Sequence, residues 1–498
     1  RMDIPILVGS LLVMAAILST RLSQRFGVPG LVLFVGIGML AGSSGPGQIM
    51  FDDYTLSYNI GLVALALILF SGGLDTRLRF FRAALVPSLM LSTIGVGVTM
   101  LVIGLAAWLL TPLSWLEGLL LGAILAPTDA AATFSVLRGK GLPARLRGVL
   151  ETESGTNDPV SINLTLVLTA LLVSGSANGW SLGFGIVLQL LLGAVFGYGG
   201  GWLLVWFLRR VRLEGGGLYP VLAVAGAFFV YSASNLLGGN GFLAIYLTGL
   251  VLGNWRVPHQ QSISYVMDAL AWGAQIVMFL ILGLLVFPDR LGGILPMSLL
   301  VMLVMIFVAR PVALLVSLEP LRFVKQHEFS WQEYTLLAWA GLKGAVPIIL
   351  AIIPLLNALP NGEAMFNIVF VVVVVSTALQ GLTVGPLTNL LKLTRHEPPQ
   401  PPVRIELGGD APPGSAVFDV FLEPQVAAVG RTLRELSLPE DVVIAAIYRG
   451  DTLVTPRGDL KFQSGDHVFI ITSDETVGVP GIFTRKREVQ ELQKVGKN

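Results

Sequence analysis

Thirteen stretches of mostly apolar residues follow one another from Ile4 to about residue 391, each near the roughly 20 residues that an α-helix needs to cross a bilayer. They lie near 4–20, 27–42, 56–74, 84–110, 116–137, 148–174, 180–208, 216–237, 241–255, 263–287, 293–317, 332–356 and 364–391. The pattern therefore predicts an all-α polytopic membrane protein with about thirteen transmembrane helices. Charge supports that class. Only 13% of residues are charged, against roughly a quarter in soluble domains. Residues 1–395 hold 16 acids, whereas the last 103 residues hold 15, and such a step marks a change of solvent from lipid to water. The expected division is a transmembrane domain over 1–395, a Pro- and Gly-rich linker over 396–414, a small α/β domain over 415–480 and a charged tail over 481–498. The first apolar stretch lacks a basic leader and a small-residue cleavage site, so it reads as a retained span.

Basic residues fix an orientation. Taken alternately, the loops on one side hold 17 Lys and Arg, and those on the other hold only Arg290 apart from Arg1. Lys/Arg-rich loops are cytoplasmic, which puts the N-terminus outside and the C-terminal domain in the cytoplasm. A net charge of +1 carries no electrostatic footprint for a nucleic acid. The chain has no cysteine, which removes disulfides, thiolate metal sites and thiol catalysis. The spans contain no nucleophile–base pair or histidine ligand set, and no Gly-rich loop precedes a Lys-Ser/Thr pair. Neither an enzyme nor a cofactor is expected.

Ionisable residues inside spans are costly unless paired or hydrated, and are functional candidates for that reason. Five stand out: Asp129, Glu153, Asp158, Arg310 and Lys343, with Glu151 and Asp268 near span ends. The fifth span reads LLGAILAPTDAAATFSVL, where Pro127 interrupts the helix and Thr128-Asp129 follows. Asp129 could simply cap the second half-helix, but loosened backbone in transporters also lines ion sites. The sixth span carries ETESGTNDPVSIN, in which Glu153 and Asn157 lie four apart, as do Ser154 and Asp158. Carboxylate, hydroxyl and amide oxygens are the hard ligands that a dehydrated alkali cation requires. Glu153 is the best available partner for Arg310. The twelfth span carries GLKGAVPIIL with Lys343 and Pro347, in a position that mirrors Pro127 across two six-span halves. Proline-interrupted segments so placed predict an inverted repeat with the site at its centre.

Thr128-Asp129, Glu153-Ser154, Asn157-Asp158, Arg310 and Gly341-Leu342-Lys343-Gly344 together resemble the monovalent cation:proton antiporters, in the NhaP-like branch that includes the sodium/proton exchangers. The resemblance spans about residues 1–395. It implies two unwound helices crossing near the midplane, and a homodimer held by a separate dimer domain. On the matching positions, Asp158 is the cation- and proton-binding carboxylate, so that the monovalent cation sits at Asp158. Thr128 and Ser154 supply further oxygens, Glu153 and Arg310 form an ion pair, and Asn157 and Asp129 stabilise the crossing. Asn before Asp implies electroneutral exchange. Lys343 stands where arginine is commoner, and Gly155-Thr156 where bulkier residues are, which bears on ion preference.

In the tail, SAVFDVFL, DVVIAAIY and HVFIIT read as strands and VGRTLREL as a short helix. Val429 to Asp466 resembles the C-terminal lobe of regulators of potassium conductance, which implies a small-molecule or nucleotide regulator. The whole implies a bacterial inner-membrane antiporter that exchanges K⁺ or Na⁺ for H⁺ by alternating access, with K⁺ favoured because of the tail. A cation channel gated by the same tail is the alternative.

Overall fold

The computed structural model describes residues 3–394 and 416–483, except 27, 138–140, 176–178, 212, 214, 324–328, 437, 440, 451 and 473–480. The expected linker over 396–414 and the tail beyond 483 lie outside the described residues. The chain forms two compact units, Arg1–Arg395 and His396–Asn498.

Long apolar runs make the first unit helical. Its helices are α1 (Asp3–Phe26), α2 (Gly30–Ala41), α3 (Tyr54–Asp75), α4 (Leu78–Met90), α5 (Val96–Leu110), α6 (Trp115–Leu125), α7 (Ala130–Val136), α8 (Ala144–Ser174) and α9 (Gly179–Arg210). They continue with α10 (Leu218–Leu236), α11 (Gly241–Asn254), α12 (Gln260–Leu284), α13 (Leu295–Val304), α14 (Arg310–Leu318), α15 (Trp331–Trp339), α16 (Val346–Leu356) and α17 (Gly362–Leu390). A π turn over Leu91–Gly95 joins α4 to α5, and another over Met305–Ala309 joins α13 to α14. The second lies where Pro311 removes the N–H that residue 307's carbonyl would otherwise receive.

Among the described residues, nine helices are long and apolar enough to cross a membrane, and α6 with α7, bent by 48° at their break, make a tenth. The shorter α2, α11 and α16 stand at three further positions where the sequence predicts spans. Large side chains of α2, α3, α6, α11 and α17, among them Phe34, Phe70, Leu121, Tyr246 and Phe366, are fully buried. By contrast α9 turns Phe184, Leu191, Val195 and Trp206 outward, as expected of a surface solvated by lipid.

The second unit is a four-stranded antiparallel sheet in the order β1-β4-β2-β3, from β1 (Ala416–Phe421), β2 (Val442–Arg449), β3 (Thr452–Val454) and β4 (Asp466–Thr472). Ile447, Val468 and Ile470 pack with Leu422, Val426, Phe462 and Phe483 into its core. Three of the strands match the sequence reading. The short helix expected over VGRTLREL is instead a single 3₁₀ turn, Leu433–Glu435. Its backbone N–H groups are drawn elsewhere: Gly430 donates to Phe462 O, Leu433 to Leu460 O and Arg434 to Gly458 O. Strand β3, unforeseen, returns from β2 through Gly450, whose φ of +58° suits a tight turn.

Asp466, fully buried at the start of β4, is held by Arg449, with Nε to Oδ1 at 2.8 Å and a second guanidinium nitrogen to Oδ2 at 2.9 Å. These bonds to Asp466 raise the guanidinium's already high pKa. Truncating Arg449 strands a buried charge, so Arg449→Ala is expected to weaken this domain by about 2 kcal/mol. The check is limited proteolysis of the full chain: faster cleavage within 416–483, with the melting temperature of the membrane domain unchanged.

Candidate cation and proton site

The site is built where two helices are broken. Residues 126–129 separate α6 from α7, and residues 340–345 separate α15 from α16. Broken helices leave backbone groups without partners, and in an apolar interior each must find one. Here each break satisfies the other. Lys343 Nζ donates to Ala126 O at 3.2 Å and to Pro127 O at 2.9 Å, the carbonyls left over at the end of α6. Asp129 N–H donates to Leu342 O at 2.7 Å, and Thr133 Oγ1 to Ala340 O at 2.8 Å. From α17, Thr377 Oγ1 donates to Lys343 O at 2.8 Å and Gln380 Nε2 to Trp339 O at 2.9 Å. Charge follows the helix dipoles, with a cation at the C-terminal end of α6 and a carboxylate at the N-terminal end of α7.

Asp129 caps α7 as the plainer sequence reading allowed, accepting from Ala132 N–H at 3.1 Å. It also lies against Gly344, where a Cβ would strike its carboxylate. Ser154 Oγ accepts from Ala130 N–H at 3.2 Å, so α8 contributes a second capping group. Asn157 Nδ2 donates to Thr128 Oγ1 at 2.8 Å and ties α8 to the first break. Glu153 and Arg310 form a bidentate ion pair, with the second guanidinium nitrogen 2.9 Å from Oε2. Arg310 also donates to Leu337 O at 3.3 Å.

Asp158 differs from the carboxylates of Asp129 and Glu153, neither of which has a buried oxygen without a hydrogen-bond partner. It is 5% exposed, and its Oδ1 has no hydrogen-bond partner. With Thr128, Asp129 and Ser154 it lines a cavity of about 1100 Å³ that also touches Asp75, Arg147, Glu151 and Asp268. Glu153, Arg310 and Lys343 are not among the lining residues; they lie behind the break. The structure thus brings together every residue singled out from the sequence, but in two sets. One faces the cavity, and the other holds the scaffold.

Several further residues take part. Thr377 and Gln380 sit in an apolar run and carry no local sign of their role. Asn240 caps α11 through Leu243 N–H at 2.8 Å and donates from Nδ2 to Pro159 O and Asn163 Oδ1, each at 3.2 Å. Ser71 donates to Asp268 Oδ1 at 3.3 Å on the cavity wall. The charge of Asp268 near a span end is the only signal the sequence offers there.

The chain is similar to known proteins in sequence and in fold. Residues 11–390 match the model of the sodium/hydrogen exchanger transmembrane family, and residues 418–478 match the TrkA-C domain. The chain belongs to the sodium/hydrogen exchanger family. A protein of Shewanella baltica named K(+)/H(+) antiporter NhaP2 is 40% identical over 494 residues, covering 98% of this chain and 84% of the relative. One from Alkalimonas amylolytica, named K(+)/H(+) antiporter NhaP, is 39% identical over 487 residues, or 97% of this chain and 83% of the relative. The solved sodium proton antiporter MjNhaP1 of Methanocaldococcus jannaschii superposes with a TM-score of 0.65 at 23% identity, covering 76% of this chain and 99% of that one. This likeness extends the family assignment to the fold.

Breaking a buried ion pair by removing one partner costs about 3–5 kcal/mol. Arg310→Ala should therefore lower the melting temperature of the purified protein sharply, and Arg310→Lys should restore little, because an ammonium cannot bridge both carboxylate oxygens. Glu153→Ala with Arg310→Ala should be less damaging than either alone. Thermal melts in detergent decide this.

Proposed function

We propose that the chain exchanges K⁺ for H⁺ across a bacterial inner membrane, with Asp158 as the group that holds each in turn. The observation that carries this reading is the buried Asp158 oxygen without a hydrogen-bond partner on a residue that lines the cavity. A carboxylate so placed needs either a cation or a proton, and cannot hold both. Thr128 and Ser154 hydroxyls lie on the same cavity wall and each has a lone pair left after its structural bond, so they complete an oxygen ligand set. Glu153 is neutralised by Arg310, and Lys343 is occupied by carbonyls, which leaves Asp158 as the group free to change its ligand. With one such group, one cation moves per proton and exchange is electroneutral.

The names of the relatives at 39–40% identity support K⁺ over Na⁺. The basic loops support an outer N-terminus and a cytoplasmic tail. On that orientation the cavity faces the cytoplasm, because its Arg147 end follows the basic loop at residues 138–147. The division into a transport domain over 1–395, a linker over 396–414 and a regulatory domain over 415–480, assembled as a homodimer, goes with this reading. The TrkA-C match supports a small-molecule or nucleotide ligand for the regulatory domain. Lining of the cavity on α8 stops at Asp158, which favours a carrier over an open channel.

Proteoliposomes loaded with a pH-sensitive dye test the proposal. Added K⁺ should collapse an imposed pH gradient through the unaltered protein more effectively than Na⁺, and Asp158→Asn should reduce exchange to the level of empty liposomes. Exchange retained in Asp158→Asn would remove the mechanism.

A further inference from the structure

Residues three and four apart share one face of a helix. On α8 the positions 147, 151, 154, 158, 161, 165 and 169 step by four and three, and all seven are polar: Arg147, Glu151, Ser154, Asp158, Ser161, Thr165 and Thr169. The seam covers 22 residue steps, or about 33 Å of helix, close to the thickness of a bilayer's hydrocarbon core. Asp158 stands eleven steps from either end.

The two halves of the seam differ. Arg147, Glu151, Ser154 and Asp158 line the cavity. Ser161, Thr165 and Thr169 are buried, do not line it, and have hydroxyls without a hydrogen-bond partner. Buried helical hydroxyls ordinarily bond to the carbonyl four residues back, as Thr156 does to Thr152 at 2.6 Å and Thr248 to Ala244 at 2.8 Å. Three consecutive seam hydroxyls left unbonded and buried are unfavourable in this conformation and favourable once water reaches them.

We propose that Ser161, Thr165 and Thr169 line the closed half of the transport path, which fills with water when Asp158 is exposed to the side opposite the cavity. This rests on Asp158 being the exchanging carboxylate. The seam hydroxyls then hydrate the arriving cation in sequence and hand it to Asp158. On the alternative, a stripe of small residues that merely packs helices, the hydroxyls never meet solvent.

The absence of cysteine from the chain makes the test direct. Ser161→Cys, Thr165→Cys and Thr169→Cys are made singly in the full chain, with Ala269→Cys on the cavity wall and Leu164→Cys off the seam as controls. An impermeant methanethiosulfonate is then applied to either face of oriented vesicles. The three seam thiols should react only from the face opposite to that labelling Ala269→Cys. They should react about tenfold faster during K⁺/H⁺ turnover than at rest, because turnover populates a conformer that is minor at rest. Leu164→Cys should not show this gain. Seam thiols unreactive during active exchange, or reactive from the cavity face, would overturn the proposal.

Thr165→Val and Thr165→Ser keep it falsifiable if the cysteine variants fail to fold. Loss of the hydroxyl should slow exchange about tenfold, the effect of one lost polar contact on a barrier, while Thr165→Ser keeps the rate. An unchanged rate in folded Thr165→Val would also overturn it. Retained exchange in Asp158→Asn would instead remove the underlying function, whatever the labelling pattern.

Discussion

Unpaired backbone in a membrane interior is tolerated only where something replaces the missing helical bonds. In this protein the replacement is reciprocal. Lys343 binds the carbonyls of the first break, Leu342 O receives the N–H of Asp129, and Thr133 reaches across to Ala340 O. Neither break is satisfied without the other, so the two segments must cross at this point. The crossing sets the position of everything else. Asn157 is tied to Thr128, Ser154 to the start of α7, and Asp158 is thereby carried to the cavity wall.

The same crossing sorts the charges. Glu153 and Asp158 are five residues apart on α8, yet their surroundings differ completely. Glu153 is closed off by a bidentate arginine, and Asp129 is spent on capping. Lys343 is turned toward helix-end carbonyls. On the proposed function, a scaffold that pairs Glu153 and spends Asp129 on capping leaves Asp158 as the carboxylate of this block that exchanges its ligand. The glycines next to it serve that closeness. A side chain at Gly344 would displace Asp129, and one at Gly155 would displace the Tyr246 ring.

Much of this was legible in the sequence because membrane solvation punishes charge so heavily. Asp129, Glu153, Asp158, Arg310 and Lys343 stood out against apolar surroundings, and the prolines at 127 and 347 marked the two breaks. The Glu153–Arg310 pair followed from the cost of leaving either alone. What stayed hidden was any role defined by a distant partner. Thr377 and Gln380 look like incidental polar residues in a run of valines, and Lys343 shows its charge but not the carbonyls it holds. The seam on α8 is present in the spacing, but the dense polar block at 151–163 masks the repeat that extends to Thr169. In the tail, strand patterns with β-branched residues were plain, whereas VGRTLREL carried a helical look that hydrogen bonds to residues 458–462 override.

Competition at a single carboxylate is the centre of the account, and binding measures it without reference to flux. Isothermal titration of the purified protein with K⁺, in buffers of different ionisation enthalpy, counts the protons released per cation bound. The account predicts one proton released for each cation at acidic pH, with affinity falling as pH falls. Cation binding that releases no proton and is indifferent to pH would contradict it.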